Sequence, residues 1–418
     1  MTRVYLHTFG CKANQYDTEV VRQALETSGV TSVEDPSAAD IAIVNSCTVT
    51  HVSEAKMRGL VRRISRKNRQ IRTVVIGCAA ELDDGALADL PGVTDVVGGT
   101  DPVAVLRAAG LTGERVDPVL RRFDRGARAW LKIQDGCDEH CTFCATTRAR
   151  GDNRSRDLTE ILTEAEALAE RHQEIVLTGV HIGSYGADRA DGASLGSLVE
   201  ALVSQVPGVR FRLSSVEATE IDERLADVMI SDPECLAPHV HAPLQSGSDR
   251  VLKRMGRHWY TSSSYRQRIE QLAVRLPRFG LGADIMVGFP AESDDDHAET
   301  VALVEDLPFT YLHVFPYSER PAVPAQIFGP PVAPPICHRR SVELRELAER
   351  KGHHYSRSRE GELADVILLR RNAGRFEGLT GDYLTVHLSA DQVPPPRCQA
   401  RLAVGDDAVW ANPLGSSR

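Results

Sequence analysis

The stretch Trp130-Leu-Lys-Ile-Gln-Asp-Gly-Cys-Asp-Glu-His-Cys-Thr-Phe-Cys144 joins a short apolar run to three cysteines spaced C-x3-C-x2-C. The run Trp130–Gln134 reads as a β-strand, so Cys137, Cys141 and Cys144 fall on the loop that follows it. Downstream, strand candidates recur at Glu174–Thr178, Arg210–Ser215, His239–Pro243, Ala283–Val287 and Tyr311–Phe315. Helical stretches alternate with them: Thr159–His172, Leu195–Gln205, Ile221–Ile230, Tyr265–Arg275 and Asp295–Asp306. Six strand–helix units predict a partial (β/α)6 barrel, short of the usual eight, with functional residues on the loops after the strands. The unusual sequences lie on those loops: Gly136–Cys144, Gly179–Gly186, Ser215–Glu217, Leu244–Ser248 and Gly288–Pro290.

Upstream, the strands Arg3–Thr8, Asp40–Asn45 and Thr73–Ile76 alternate with helices Tyr16–Ser28 and Ser53–Ser65. This predicts a parallel sheet with helices on its faces. Cys11, Cys47 and Cys78 each stand just past a strand end, the edge where open α/β sheets bind ligands. Cysteines far apart in sequence converge there; three separate buried cysteines are the plainer alternative. A basic, polar linker is expected at Arg121–Arg128, and a proline-rich run, Pro321–Pro335, before a charged helix from Arg339 to about Arg359. The last residues, with runs at Asp365–Leu369, Tyr383–Leu388 and Ala408–Ala411, read as a small antiparallel β-barrel of the kind that binds nucleic acid. The fold is therefore α/β in three parts: a parallel-sheet domain (1–120), the partial barrel (121–355) and the terminal barrel (356–418).

The 418-residue chain is 42% hydrophobic and 26% charged, with no apolar run of membrane-spanning length. No signal peptide is read at its start, so a cytoplasmic protein with reduced cysteines and no membrane partner is expected. The net charge of −9 does not advertise nucleic-acid binding. Between Ser53 and Arg72, however, eight basic residues including Arg58, Arg62, Arg63 and Arg66 face Glu54 alone, a local charge of +7. Such a run is a solvated helix face or a phosphate-tracking patch.

Three thiolates are too few for structural zinc, which takes four ligands, and His140 is the only nearby candidate for a fourth. An iron–sulfur cluster held by three cysteines leaves one iron open. At Cys137, Cys141 and Cys144 that iron is free to chelate S-adenosylmethionine. Glycines at Gly179–Gly186 allow close backbone approach to such a cofactor. Ser215 and Glu217 are candidates for its ribose, and Gln245 lies on the next polar loop. Phe143 either stacks beside the adenine or simply packs. Cys235, Cys337 and Cys398 lie outside both trios and read as structural, with an exposed thiol open as an option for Cys337.

These residues resemble the radical S-adenosylmethionine methylthiotransferases over essentially the whole chain. Thr8-Phe-Gly-Cys-Lys-Ala-Asn-Gln-Tyr-Asp-Thr-Glu19 is similar to that family's N-terminal signature, and Asn45-Ser-Cys47 and Gly77-Cys78 to its auxiliary-cluster positions. Gly136–Cys144, with Arg150-Gly151 and Arg154-Ser-Arg156, resembles its radical motif, and Phe376–Tyr383 its TRAM domain. Lys12 after the first cysteine, Leu177–Gly186 and Leu312–Ser318 are similar to the branch acting on N6-threonylcarbamoyladenosine in tRNA. The other branches act on isopentenyladenosine or a ribosomal protein residue.

The resemblance implies two [4Fe–4S] clusters, one on Cys137, Cys141 and Cys144 and one on Cys11, Cys47 and Cys78. The first cleaves S-adenosylmethionine reductively to a radical that removes hydrogen from carbon 2 of the modified adenine. The second delivers sulfur, and a second S-adenosylmethionine supplies the methyl group. It implies tRNA, an electron donor such as flavodoxin or ferredoxin, and a sulfur donor as partners. Two departures stand out. Ala145-Thr-Thr147 replaces the family's usual Pro-Tyr, and the terminal barrel is nearly neutral. RNA contact therefore shifts toward Arg58, Arg62, Arg63 and Arg66, and toward Arg154 and Arg156. A non-catalytic, metal-containing RNA-binding protein is the alternative of another class.

Overall fold

The computed structural model describes residues 2–48, 51–112, 116–123, 126–320, 323–372, 375–388 and 393–414. Parts of the expected linker (124–125) and proline-rich run (321–322) lie outside them.

Strands β1 (Arg3–Thr8), β2 (Thr31–Val33), β3 (Ile41–Ser46), β4 (Arg72–Gly77) and β5 (Val93–Gly98) form a parallel sheet in the order β2-β1-β3-β4-β5. Alternation along β3 sets its two faces. Ile41 and Ile43 pack under the helix Lys12–Thr27 with Val21 and Leu25. Ala42 and Val44 pack under the helix His51–Lys67 with Met57, Leu60, Val61 and Ile64. A strand buried on both faces reads as a continuous apolar run, which is why β3 stands out in the sequence. The edge strands β2 and β5 carry few buried residues and show no such run.

The middle of the chain is an open arc of six parallel strands: β6 (Arg128–Lys132), then, past the short β7 (Gln134–Asp135) and β8 (Arg154–Ser155), β9 (Glu174–Thr178), β10 (Arg210–Leu213), β11 (His239–His241), β12 (Gly280–Val287) and β13 (Tyr311–Pro316). Single bridges, Phe211 to Leu236 and Ser215 to His241, join its two three-stranded halves. Its helices begin at sequence-encoded caps. Ser194, Thr261 and Ser293 each accept from the backbone three residues on, and a serine or aspartate there returns the bond.

Three expectations are corrected. The helix expected from Arg339 starts at Pro334, because proline suits a first helical turn, where its missing N–H has no partner to lose. The described start of the linker, residues 121–123, is strapped down: Arg122 pairs with Glu26 (2.7 Å), the Arg121 N–H reaches Gln23, and the Phe123 N–H reaches His172. Cys337 is half-buried, its thiol 3.3 Å from the Val332 carbonyl.

Strands β14 (Leu363–Asn372), β15 (Arg375–Thr380), β16 (Thr385–Leu388), β17 (Arg397–Val404) and β18 (Val409–Pro413) close a barrel in the order β14-β15-β16-β18-β17. It is antiparallel except where β16 meets β18 in parallel. Fully buried Glu174 anchors this barrel to the arc. Arg210, Arg212 and Arg128 all pair with it. Arg210 and Arg212 then extend their remaining N–H groups to the carbonyls of Asp365, Leu379, Thr380 and Gly381. Burial opposes the Glu174 charge, but the three guanidinium groups prevail and hold its carboxyl well below the usual carboxylate range.

Candidate active site

Cys11, Cys47 and Cys78 follow β1, β3 and β4, three adjacent strands, so the parallel order itself brings them to one edge. Gly10, at φ +102°, lies so close to Cys47 that a Cβ there would come within 2.8 Å of its sulfur. Asn14, fully buried, holds the loops together: its amide donates to the carbonyls of Phe9 (2.9 Å) and Ser46 (3.0 Å). Its Oδ1 lies 3.7 Å from Cys78 Sγ. Cys11 is exposed while Cys47 and Cys78 are buried, and burial pushes the Cys78 thiol up.

The second trio sits on a loop folded against the arc. Gly136 has φ +71°, and a Cβ there would come within 1.8 Å of the Asp152 carbonyl oxygen, so no other residue fits. The Cys137 N–H donates to the Gly151 carbonyl (3.0 Å), and the Thr142 N–H to that of Met255 (2.9 Å). Each sulfur has a polar neighbour: His181 Nδ1 at 3.7 Å from Cys137, Arg257 Nη1 at 3.8 Å from Cys141 and the Thr146 N–H at 3.4 Å from Cys144. Burial pushes the Cys141 thiol up to about 12, and a bound metal ion would act in the opposite direction.

Among the described residues, neither trio has the fourth ligand that zinc needs. The only compact group of three metal-ligating side chains among them is His241, Asp284 and His313, elsewhere in the arc. His140 is exposed. Neither cysteine trio is such a compact group, and three soft donors spread more widely than a single zinc ion spans fit an iron–sulfur cluster instead. Polar atoms near the arc's strand ends fit a further ligand: Glu217 Oε2, Glu220 Oε2 and Gln245 Oε1 are buried without a partner. An unpaired buried acceptor is costly, so these atoms mark where a polar molecule belongs.

The residues expected at S-adenosylmethionine separate by role. Gln245, in a left-handed conformation (φ 61°), and Glu217 carry those orphan acceptors. Glu217 also pairs with Arg257, the guanidinium beside Cys141. Ser215 is exposed on a separate cavity wall. Gly179 gives close passage to Gln134, whose Oε1 takes the Val180 and His181 N–H groups (3.0 and 2.9 Å). Phe143 packs with the apolar cluster of Val251, Met255, Met286 and Phe289. Sequence reasoning missed Gln134, Arg257 and Asn14. What marks them is structural rather than sequential: each is a fully or nearly fully buried polar side chain next to a cysteine loop.

Arg150 spans the two trios. It ends the short helix after Cys144, and its Nε lies 3.3 Å from Cys78 Sγ. Its other nitrogens reach Asn14 (2.5 Å), Asp17 (2.8 Å) and Asp135 (2.8 Å).

Inside the arc lies a cavity of about 160 Å³ with walls from all three domains: Lys12 from the first, Arg128, Arg212, Asp284 and Tyr311 from the arc, and Tyr383 from the terminal barrel. His239 stacks on Tyr383 with ring centroids 4.2 Å apart. Asp284 accepts from His241 and His313, both at 3.1 Å.

The arginines expected at RNA also divide. Arg62, Arg63 and Arg66 are exposed along one face of the helix His51–Lys67. Arg58 is half-buried and paired with Glu54 (3.0 Å). Arg154 is exposed but donates to the Arg150 and Asp152 carbonyls. Arg156 is not a surface group. It pairs with buried Glu164 (2.9 Å) and donates to the Lys132 carbonyl and the Tyr16 hydroxyl, because Glu164 needs a cation where no water reaches it.

Residues 131–304 match the radical SAM superfamily, and residues 3–99 match the family described as "Uncharacterized protein family UPF0004". The threonylcarbamoyladenosine tRNA methylthiotransferase MtaB of Bacillus subtilis is 34% identical over 92% of this chain and 90% of its own length. That of Thermotoga maritima is 38% identical over 78% and 77%. A tRNA-2-methylthio-N(6)-dimethylallyladenosine synthase of Methylibium petroleiphilum is 32% identical over 88% and 84%. Among solved structures, the radical S-adenosylmethionine methyltransferase TsrM of Kitasatospora setae superposes with a TM-score of 0.58 at 16% identity, covering 78% of this chain and 77% of its own. It shares the fold. With two open cysteine trios and relatives matched along nearly their full length, the chain belongs to the radical S-adenosylmethionine methylthiotransferase family.

Proposed function

We propose that this enzyme places a methylthio group on carbon 2 of N6-threonylcarbamoyladenosine in tRNA. The observation that carries the reading is Arg150, which joins the loop of one open cysteine trio to the sulfur of the other. The relatives named for this substrate supply its identity.

Cys137, Cys141 and Cys144 would hold one [4Fe–4S] cluster with S-adenosylmethionine on its open side, and Cys11, Cys47 and Cys78 a second. When bound, these groups supply the radical chemistry that breaks an aromatic C–H bond and the sulfur that replaces the hydrogen. The protein's part is placement. Arg257 sets a positive charge beside Cys141, and Glu217 fixes that guanidinium. Gln134 ties the loop after β9 to the base of the cysteine loop. The terminal barrel closes the cavity with Tyr383 and serves as an RNA-facing wall. Arg62, Arg63 and Arg66 offer exposed charge for phosphates. An unpaired anticodon-loop base can be splayed against such a wall without melting a duplex. An electron donor of the flavodoxin or ferredoxin class and a sulfur donor complete the reaction.

The test is mass spectrometry of tRNA nucleosides from a strain lacking the gene. Loss of the methylthio group on threonylcarbamoyladenosine, with the isopentenyl species intact, supports the reading. Persistence of both overturns it.

A further inference from the structure

Lys12 directly follows Cys11 and lines the 160 Å³ cavity. Among the described residues its ammonium makes no ion pair or hydrogen bond. The other two cations of the cavity differ. Arg212 places its guanidinium on Glu174 and on the carbonyls of Thr380 and Gly381, and Arg128 lies on Glu174 as well. The cavity's own carboxylate, Asp284, is taken by His241 and His313. Half-buried Lys12 thus presents an unpaired ammonium to a cavity whose own carboxylate is already satisfied. A ligand that covered this ammonium without supplying an anion would leave it desolvated and unpaired, which costs free energy.

We propose that Lys12 is the specificity residue that reads the carboxylate of the threonylcarbamoyl side chain. The inference rests on the function proposed above and goes beyond it. Size agrees, since the cavity is smaller than the roughly 300 Å³ of a pocket for a drug-sized molecule and suits one substituent rather than a whole nucleoside. Charge agrees, since an isopentenyl group would leave Lys12 desolvated and unpaired. Discrimination by a buried polar group against a ligand that lacks its partner is the strong kind.

The test uses cluster-reconstituted full-length enzyme and anticodon stem-loop RNAs carrying threonylcarbamoyladenosine, its threoninamide analogue or unmodified adenosine. Wild-type protein should bind the acid about 10- to 100-fold more tightly than the amide, the range for a hydrogen bond to a charged group. Lys12→Met should bring the two within about twofold, and Lys12→Arg should keep most of the preference. Iron content and a thermal melt confirm that each variant is loaded and folded. If Lys12→Met does not fold, Lys12→Gln carries the same comparison. Equal binding of acid and amide by the wild type, or a full preference retained by Lys12→Met, overturns the inference. Wild-type turnover of the threonylcarbamoyl RNA alongside equal binding would leave the proposed function standing and remove only the role of Lys12.

Discussion

Arg150 Nε stands 3.3 Å from Cys78 Sγ, although the two residues belong to different domains and lie 72 positions apart in the chain. The same guanidinium meets Asp17 and Asp135, so one side chain fixes the distance between the two cysteine trios. Lysine keeps the charge but lacks the planar fork that reaches all these partners. Arg150→Lys should fold and load iron yet turn over about 10- to 100-fold more slowly, the usual cost of removing a side chain that supports a metal ligand. Arg150→Ala should also lose about 3 kcal/mol of stability, read from denaturant melts. Wild-type turnover by the lysine variant would remove the spacing role.

Iron content separates the trios. Wild-type enzyme should carry about eight irons per chain, as two four-iron clusters. Alanine at Cys11, Cys47 or Cys78 should lower this to about four and leave a cluster that still binds S-adenosylmethionine. Alanine at Cys137, Cys141 or Cys144 should also leave about four, without that binding. Unchanged iron in either series would contradict the assignment.

Much of this was legible in the sequence. The strand Glu174–Thr178 and the helix Leu195–Gln205 stand where their patterns place them, because both are bounded by caps or turns and bury a full face. β5 was not legible, because Val93–Gly98 is a half-exposed edge strand without clean alternation. The places of the six cysteines in the fold were readable because spacing and strand ends are local properties. Arg257 was not, because its meaning comes from Glu217, 40 positions earlier, and from Cys141, 116 positions earlier. Arg156 was misread as a surface cation for the same reason: its partner Glu164 is wholly buried, and burial is set by packing.

Glu174 gives the acid side of the stability curve. Its carboxyl is held well below the ordinary range, so its contribution is complete above about pH 4.3, the unfolded value. It is lost progressively as pH falls from there through the folded value. Glu174→Gln should cost about 3–5 kcal/mol at pH 7, since three arginines lose their shared partner. The gap in melting temperature between wild type and variant should stay constant above about pH 5 and narrow below about pH 4. A gap independent of pH down to acid unfolding would count against this account.

Salt dependence should sort the arginines. Replacing Arg62, Arg63 and Arg66 together with alanine should weaken tRNA binding and flatten the slope of log affinity against log salt by about 0.7–0.9 for each phosphate no longer neutralised. Stability should change by less than about 0.5 kcal/mol per exposed site. Arg156→Ala should do the reverse, leaving the slope intact while destabilising the fold by about 3–5 kcal/mol.

The anchoring of the terminal barrel through Glu174, Arg210 and Arg212 has a consequence for engineering. These hydrogen bonds end on backbone carbonyls at Leu379, Thr380 and Gly381, just before Tyr383 enters the cavity. The barrel is therefore not an interchangeable appendage. A chimera carrying a relative's barrel would inherit a different pocket wall, and with it a different set of substituents that fit.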